Sequence, residues 1–231
     1  MSRRNKLQKF AEVRSFKNVY QNFDTKEAQP LLEGVNGKVD LKGNWQALHF
    51  QNDFPITLEL ACGRGEYSLD LARRYPQRNF IGVDVKGARI WKGASIALTE
   101  GLSTVAFLRT KIELINPFFE KEEVDEIWIT FPDPFLRESK VRRRLTAPNF
   151  LERYRLFLKP GGVVHLKTDD PTLYNFTIDT LEADPQVTIL YQNNDIYAQP
   201  LLFEELTTKT YYEKKHLANG KQIKYVRFTI H

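Results

Sequence analysis

The chain has 231 residues, of which 42% are hydrophobic, and a formal net charge of +5. This is enough chain for the core of one α/β domain and too little for two full domains, and with a single cysteine and four dispersed histidines we expect no disulfide framework and no structural metal. No stretch approaches the ~20 apolar residues of a membrane span, and no apolar run of signal-peptide length follows the basic residues 1–20, so we expect a cytoplasmic protein without a membrane partner.

The predicted elements begin with a basic N-terminal arm at residues 1–33. Three glycines within residues 34–45 predict a loop between this arm and a domain of residues 46–231. The domain alternates strand-like and helix-like segments, which is typical of a doubly wound, mostly parallel sheet with helices on both faces. Its predicted strands are residues 56–60, 80–85, 104–108, 124–130, 163–167, 187–191 and 223–230, and its first two helices are residues 66–74 and 88–100.

Two further helices follow the fourth predicted strand. Pro148 suits the first position of a helix because its φ angle is fixed. Apolar residues recur after it at helical spacing as far as Leu158, so we expect this helix to stop at residues 159–162, Lys-Pro-Gly-Gly. Asp170 precedes Pro171, and the pair predicts a cap and a first turn for the next helix.

The positive charge of the chain is concentrated in two segments. Residues 1–20 carry six cations and one anion, and residues 137–144 carry five cations and one anion. The segments contribute +5 and +4, so the other residues sum to −4. Two such patches would attract a polyanion and hold it through counterion release. Charge runs can also be solvated faces without a partner, an alternative that is weaker for residues 137–144 because they follow a predicted strand end.

Residues 131–144 join a candidate chemical site to the second basic run. Because a short apolar strand precedes it, Asp133 should lie on the turn after that strand, where open α/β sheets bind ligands. The cations that follow suit phosphate groups better than a small neutral ligand. The predicted nucleic-acid contacts in this run are Lys140, Arg142, Arg143 and Arg144.

The first predicted strand leads into the turn Gly63-Arg64-Gly65, directly before a helix. Glycines at this point let the backbone approach a nucleotide-like ligand closely. Asp84 closes the second strand, at the offset from which an acid can bond the hydroxyls of a ribose. Glu59 and Glu66 flank the turn, and their negative charge favours a cationic or zwitterionic ligand. S-adenosylmethionine therefore fits this site better than a dinucleotide.

The chain resembles the bacterial tRNA (guanine-N7)-methyltransferases from about residue 56 onward. The motifs that carry the resemblance are Leu58-Glu59-Leu60-Ala61-Cys62-Gly63-Arg64-Gly65, Gly82-Val83-Asp84-Val85, Phe131-Pro132-Asp133-Pro134 with its basic tail, Lys167-Thr168-Asp169 and Thr210-Tyr211-Tyr212-Glu213. The third motif is fairly specific to this family, whereas many methyltransferases share the first two. The resemblance implies a Rossmann-like class I fold, S-adenosylmethionine as the methyl donor and a variable-loop guanine of tRNA as the substrate.

The resemblance also implies roles for single residues. The residues for the cofactor are then Glu59, Gly63, Gly65, Asp84, Thr110 and Asp133. Asp133 is also the catalytic residue, and the residues for the substrate are Arg137, Asp169, Thr210 and Glu213. The chain departs from the family pattern in having Phe135 for tryptophan, Arg137 for lysine, Ser139-Lys140 for an Arg-His pair, Ala61 for glycine and Thr110 where an aspartate often lies beside the adenine. None of these changes removes a carboxylate that the reaction needs, so we expect an active enzyme.

The chemistry can be argued without the family. Guanine N7 has a lone pair and no proton at neutral pH, so its attack on a sulfonium methyl needs alignment and no prior deprotonation. Asp133 could hold the donor edge of the guanine and balance the positive charge that develops on the ring. The base has to leave its stack to reach the methyl group. Phe135, Tyr211 and Tyr212 are candidate stacking faces, although aromatic residues near a sheet more often belong to the core.

Alternatives stay open for both the function and single residues. The chain could methylate another nucleic acid or a small molecule, or it could bind RNA on this fold without catalysis. We expect Cys62 to be a small packed side chain, His165 to be a structural histidine and residues 211–215 to be either a substrate-contacting segment or a plain surface helix. A monomer and a homodimer are equally compatible with the sequence.

Overall fold

The structure is a computed structural model that describes residues 5–23 and 30–231. The described residues form one ten-stranded sheet in the order β3-β2-β1-β6-β5-β4-β7-β8-β10-β9. The strands are β1 (Val19–Gln21), β2 (Leu32–Gly34), β3 (Gly37–Val39), β4 (Ile56–Leu60), β5 (Asn79–Asp84), β6 (Val105–Arg109), β7 (Val124–Thr130), β8 (Leu158–Thr168), β9 (Val187–Asn193) and β10 (Lys224–Ile230). The six neighbours from β1 to β8 in this order run parallel, and β10 lies antiparallel between β8 and β9. This arrangement confirms the predicted doubly wound, mostly parallel sheet.

Helices cover both faces of the sheet. The described α-helices are α1 (Lys6–Glu12), α2 (Glu66–Arg74), α3 (Gly87–Glu100), α4 (Pro148–Arg155), α5 (Pro171–Glu182) and α6 (Tyr211–Ala218). On one face, named here the α3 face, α2 and α3 pack around Phe107 and Trp128. On the opposite face, the α5 face, α4 and α5 pack around Leu58 and Ile127. None of the described helices is long and apolar enough to cross a membrane.

The strand order fixes where a ligand can bind. From β4 the chain proceeds through α2 and α3 to β5 and β6 on one side, whereas β7 lies on the other side of β4 and leads through α4 to β8. The order therefore reverses between β4 and β7, and the carboxyl ends of all these parallel strands meet at one edge of the sheet. Open α/β sheets bind ligands in the crevice at such a switch point.

Two of the sequence-based boundaries are wrong. The predicted loop at residues 34–45 contains most of a hairpin, in which β2 and β3 pair around a tight turn that ends at Gly37, with φ +101°. The helix from Pro148 ends at Arg155, and β8 already begins at Leu158. The Lys-Pro-Gly-Gly segment therefore lies within β8, where pairing of Leu158 with Val124 on β7 overrides the local preference for a break.

The N-terminal segment takes part in the sheet. Residues 19–21 form β1, which pairs in parallel with β6, and α1 packs against α3. The division of the chain into an arm and a domain stays a prediction. Arg3 and Arg4 of the first predicted basic patch, and residues 24–29 of the predicted arm, lie outside the described residues.

Candidate active site

A pocket of about 580 Å³ opens at the switch point, within the size range of small-ligand sites. Its floor is the turn after β4 together with Thr130 and Phe131 at the end of β7. Its walls are the first turns of α3 and the segment 210–212 at the start of α6, and Lys9 of α1 reaches its rim. The pocket thus joins five segments that lie far apart in the sequence.

The turn after β4 depends on unusual backbone conformations. Gly63 and Gly65 have φ angles of +58° and +64°, which favour glycine over any other residue. A Cβ atom on Gly65 would also lie 2.5 Å from the ring of the buried Phe107. Ala61 has a φ angle of +57°, and as a non-glycine residue it adopts this conformation at a cost of about 1 to 2 kcal/mol. Backbone conformation and packing against Phe107 thus account for these glycines, and the predicted close approach of the backbone to a ligand stays a prediction.

Asp84 at the end of β5 is tied to this turn. Its Oδ2 accepts a hydrogen bond of 2.9 Å from the backbone N–H of Gly63, and its Oδ1 accepts one of 2.8 Å from the backbone N–H of Lys86. Each carboxylate oxygen keeps a second lone pair for a ligand hydroxyl. The structure thus brings Gly63 and Asp84 together, as the sequence predicted, while their contact with the cofactor stays a prediction.

Glu59 lies below the turn and is almost fully buried, with 3% of its surface exposed. Its Oε2 accepts hydrogen bonds from the backbone N–H of Ser68 at 2.9 Å and from the Ser68 hydroxyl at 2.6 Å, and its Oε1 accepts one from Thr130 at 3.3 Å. Burial raises the pKa of Glu59 to about 7, although these hydrogen bonds oppose the rise. Glu59 therefore joins β4, α2 and β7, and its direct contact with the cofactor stays a prediction.

Thr110 follows β6, next to the strand position that pairs with Asp84. Its side chain is completely buried, and its hydroxyl has no hydrogen-bond partner among the described residues. Thr110 does not line the pocket, and several other buried side-chain atoms of the described residues also lack a partner, so its contact with the adenine stays a prediction. The acid-flanked glycine turn fits the cationic end of S-adenosylmethionine.

Asp133 lies on an exposed turn after β7. Its Oδ1 accepts a hydrogen bond of 3.0 Å from the backbone N–H of Phe135, and its other oxygen has no such partner among the described residues. Phe131 and Phe135, on either side, have φ angles of +50° and +43°. Strain of this kind clusters at functional sites. Phe131 lines the pocket and Asp133 does not, so contact of the Asp133 carboxylate with a ligand there stays a prediction.

The basic run after this turn divides into two parts. The side chains of Arg137, Lys140, Arg142 and Arg143 are exposed. Arg144, by contrast, is buried: it donates hydrogen bonds of 2.9 and 3.2 Å to the carbonyl oxygens of Pro134 and Phe135, and its guanidinium stacks 4.5 Å from the ring of Phe176. The prediction that Arg144 contacts RNA is therefore wrong for this conformation, because its donors hold the Pro-Asp-Pro-Phe turn. Phosphate contacts of the exposed cations stay a prediction.

The other predicted substrate residues meet around α6. Thr210 caps this helix by accepting from the backbone N–H of Glu213, and it lines the pocket. Glu213 is completely buried in an ion pair with Lys167 on β8, at 2.8 Å. Asp169 lies against Lys221 and His216. Glu213 and Asp169 are thus engaged within the protein, and their contact with a substrate stays a prediction. Lys167 was named only within a family motif and was given no role; a lysine in a predicted buried strand was the available signal.

The plainer expectations for single residues hold. Cys62 is buried, and burial raises the pKa of its thiol well above the usual value, which disfavours the nucleophilic thiolate. His165 is buried, with Nδ1 2.7 Å from the hydroxyl of Tyr225 and Nε2 2.9 Å from the carboxylate of Glu126. Asp170 caps α5 by accepting from the backbone N–H of Leu173. The packed cysteine, the structural histidine and the helix cap are therefore confirmed.

The fold and the site define a class of protein. A glycine turn, an acid at the end of the second parallel strand of the domain and a pocket at the switch point of a doubly wound sheet are the arrangement of a Rossmann-like, S-adenosylmethionine-dependent methyltransferase. A family model described as "Putative methyltransferase" matches residues 53–226. The chain is 47% identical to the tRNA (guanine-N(7)-)-methyltransferase of Christiangramia forsetii over the full length of both chains, and 45% identical to that of Bacteroides thetaiotaomicron over 98% of this chain and 86% of the relative. The chain belongs to this methyltransferase family.

Solved structures support the fold. A variant of the 16S rRNA (adenine(1408)-N(1))-methyltransferase from Catenulisporales acidiphilia, solved with its cosubstrate SAM, has a TM-score of 0.60 at 16% identity, over 84% of this chain and 93% of that one. The aminoglycoside resistance methyltransferase NpmB1 has a TM-score of 0.57 at 17% identity, over 84% and 96% of the two chains. At this level of identity the likeness concerns the fold alone.

Proposed function

We propose that this protein transfers the methyl group of S-adenosylmethionine to N7 of a guanine in tRNA. The observation that carries the proposal is that the cofactor pocket and the Pro-Asp-Pro turn with its exposed cations share one edge of the sheet. The relative from Christiangramia forsetii, a tRNA (guanine-N(7)-)-methyltransferase that matches over the whole chain, agrees with it. We place the target in the variable loop, at guanine 46 of tRNA, and the reaction in the cytoplasm.

The reaction requires the protein mainly to position the methyl donor and the guanine. When bound, S-adenosylmethionine supplies an electrophilic methyl group on a sulfonium. The Gly63 to Gly65 turn and Asp84 hold the donor in the pocket, so that a base entering from the rim meets it in line. Guanine N7 attacks with its own lone pair, and no side chain has to remove a proton before the reaction.

Asp133 is the carboxylate best placed to act on the guanine. The Oδ1 hydrogen bond to Phe135 fixes the orientation of the side chain and leaves Oδ2 to accept from the N–H groups of the base. Methylation at N7 makes the ring cationic, and a fixed negative charge beside it stabilises the transition state more than the neutral ground state. This is the role of a catalytic residue in a reaction without a general base.

The pocket rim offers aromatic faces to the extruded base. Tyr211 and Tyr212 are exposed by 52% and 41%, unusually open for tyrosines beside a pocket, and their rings meet edge to face at 5.6 Å. Base-aromatic stacking contributes about 1 to 3 kcal/mol per base, which is comparable to the cost of unstacking the guanine. We assign the two tyrosines to this contact.

The proposal is tested with the purified protein, labelled S-adenosylmethionine and unmodified tRNA transcripts. The expected product is 7-methylguanosine at position 46. A matched transcript with 7-deazaguanosine at that position has the same shape and pairing but lacks the attacking nitrogen, and it should take up no label there. Label in DNA or in a small-molecule extract, with none in tRNA, would favour a methyltransferase with another substrate. Binding of tRNA without any transfer would favour a non-catalytic RNA-binding protein.

A further inference from the structure

The rim of the pocket on the α3 face carries a group of cations that do not pair with acids. Arg64 lies in the glycine turn, and Arg89 and Lys92 lie on the first two turns of α3. None of the three forms an ion pair with any carboxylate of residues 5–23 or 30–231. Other surface cations, such as Arg73 with Glu100, do form such pairs. Other surface cations, such as Arg137 and Lys140, also lack an ion pair within the described part of the chain, so the distinguishing feature of this group is that all three cations line one pocket.

Aromatic rings hold two of these cations at the pocket. The guanidinium of Arg64 lies 5.3 Å from the ring centre of Tyr211, and that of Arg89 lies 5.7 Å from the ring centre of Tyr212. Arg89 also donates a hydrogen bond of 3.0 Å to the Tyr212 hydroxyl. A neutral ring orients a guanidinium without cancelling its charge, so both cations stay available to an anion.

The N-terminal helix adds to the same surface. The ammonium of Lys9 lies 4.9 Å from the ring centre of Trp91 on α3, and the indole N–H of Trp91 donates to Glu12 at 2.8 Å. These contacts fix α1 against α3 and bring the first basic segment of the sequence beside Arg89 and Lys92. Four cations line the pocket, Lys9, Arg64, Arg89 and Lys92, against one anion, Glu66, so the lining has a formal charge of +3.

The cofactor cannot balance this charge. S-adenosylmethionine carries a sulfonium, an ammonium and one carboxylate, so its net charge is itself positive. With the donor in place, the rim becomes more positive and not less. A polyanion that meets the surface from outside the pocket is the partner that such a field attracts and retains.

We propose that Arg64, Arg89 and Lys92 form a second phosphate-binding surface, separate from the exposed cations of residues 137–143, and that the tRNA passes over the sheet edge between the two. This inference rests on the proposed function. α3 packs on the α3 face, whereas the exposed cations lie between β7 and α4, in a run whose end, Arg144, is anchored to Phe176 of α5 on the opposite face. An RNA held on both faces crosses the edge where the pocket opens, and this path presents the flipped guanine to the pocket.

The test measures tRNA binding against salt concentration, without the methyl transfer step. The variant R89Q/K92Q should reduce the slope of log K against log salt by about 2, one unit for each lost phosphate contact. The matched control is K42Q/K121Q, which removes the same charge from the opposite edge of the sheet, where both lysines already pair with glutamates. Its slope should equal that of the wild type. A single variant, K92E, guards against a folding effect, since Lys92 lies exposed on α3.

Two outcomes of these measurements would overturn the proposal, and one would support it. Equal slopes for the wild type, R89Q/K92Q and K92E would overturn it. So would a loss of S-adenosylmethionine affinity by more than about fivefold with an unchanged slope, because the cations would then serve the cofactor carboxylate. A slope loss in R89Q/K92Q that adds to that of R142Q/R143Q in the fourfold variant supports an RNA that touches both faces. Because binding is measured without transfer, a wild type that binds but forms no 7-methylguanosine would refute the proposed function and leave this inference standing.

Discussion

Lys167 and Glu213 form an ion pair that is entirely shielded from solvent, with 2.8 Å between the ammonium and the carboxylate. Lys167 also donates to the carbonyl oxygens of Leu206 and Thr208, and Tyr197 donates to Glu213 at 2.7 Å. Burial lowers the pKa of Lys167, and the adjacent carboxylate opposes that shift. The pair anchors the start of α6 to β8 and thereby holds the segment that lines the pocket.

Replacing one member of this pair should destabilise the fold. We expect E213Q to lose about 3 to 5 kcal/mol of unfolding free energy, because the Lys167 charge then stays buried without a counterion. The double variant K167M/E213L, which removes both charges, should recover most of that loss. Denaturant unfolding of the three proteins measures both effects.

The same variants distinguish a structural role for Glu213 from the substrate contact that the resemblance implies. If Glu213 acts on the substrate, E213Q keeps the wild-type stability and loses methyl transfer. A stable but inactive E213Q would therefore contradict the anchoring role.

Asp133 should act on the rate of transfer and not on folding. D133N keeps an oxygen for the Phe135 hydrogen bond and loses the negative charge, so we expect kcat to fall by about 10²- to 10³-fold at unchanged cofactor affinity. The matched control is D40N, because Asp40 is also exposed and also accepts from the backbone two residues on, at Lys42. Single-turnover transfer within about threefold of wild type in D133N would reduce Asp133 to a turn residue.

Glu59 should make stability depend on pH. Its pKa rises from the ordinary 4.5 to about 7 in the folded protein, so the folded state holds a proton that the unfolded chain has lost between these values. Stability should therefore fall as pH rises from about 4.5 to about 7, by about 3 kcal/mol in total, and then level off. E59Q should lack this decline, whereas the exposed-site control E182Q should keep it.

The cofactor gives the Glu59 prediction a second readout. A bound cation favours the ionised carboxylate, so S-adenosylmethionine should shift the decline to lower pH. Unfolding curves between pH 5 and pH 8, with and without the cofactor, measure this shift. Parallel curves for the wild type and E59Q would show that Glu59 does not titrate in this range.

The basic run should separate into a structural and an RNA-binding part. R144Q leaves the carbonyl oxygens of Pro134 and Phe135 without their buried donor and should cost about 1 to 3 kcal/mol of stability. R142Q/R143Q removes two exposed charges and should leave the melting temperature unchanged while it flattens the salt dependence of tRNA binding by about 2. Melting curves and binding isotherms of both variants test this assignment. A melting temperature of R144Q equal to that of the wild type would contradict the structural role of Arg144.

Ala61 should be a site where glycine stabilises the protein. Its φ angle of +57° lies in the region that glycine adopts freely, so A61G should raise the unfolding free energy by about 1 kcal/mol. The matched control is A183G at the exposed end of α5, where φ is −79° and the added backbone freedom should lower stability by about the same amount. A destabilised A61G would indicate that packing of the Ala61 methyl group contributes more stability than the strained backbone costs.

Local patterns predicted the alternating core of the fold well. Both ends of the helix at residues 66–74 were predicted correctly, because a glycine turn precedes this helix and its apolar face is regular. The hairpin of β2 and β3 was missed since its strands are short and glycine-rich, and β8 was predicted too short since its first residues carry a proline and two glycines. In both places, pairing with a neighbouring strand decided the structure, and pairing partners are not visible in a single sequence.

The site shows the same division between local and distant causes. The glycine turn and Asp84 could be found because strand ends and short spacings define them. Lys167 and Glu213 lie 46 residues apart, and only the fold brings them into contact. Arg144 was predicted to contact RNA because it belongs to a basic run after a strand end, whereas two carbonyl oxygens and Phe176 provide it with a buried site.

The position of β10 constrains the order in which the molecule can be built. This strand is the last in the sequence, yet it lies inside the sheet, between β8 and β9, and its antiparallel pairing joins both. While the ribosome is still adding residues 224–230, β8 has a bare edge and β9 has no partner in the sheet. Closure of the sheet, and with it the support behind Lys167, has to wait until that strand has left the exit tunnel. Until residues 224–230 have been added, the nascent chain therefore carries an open sheet edge, the kind of surface that is prone to aggregate.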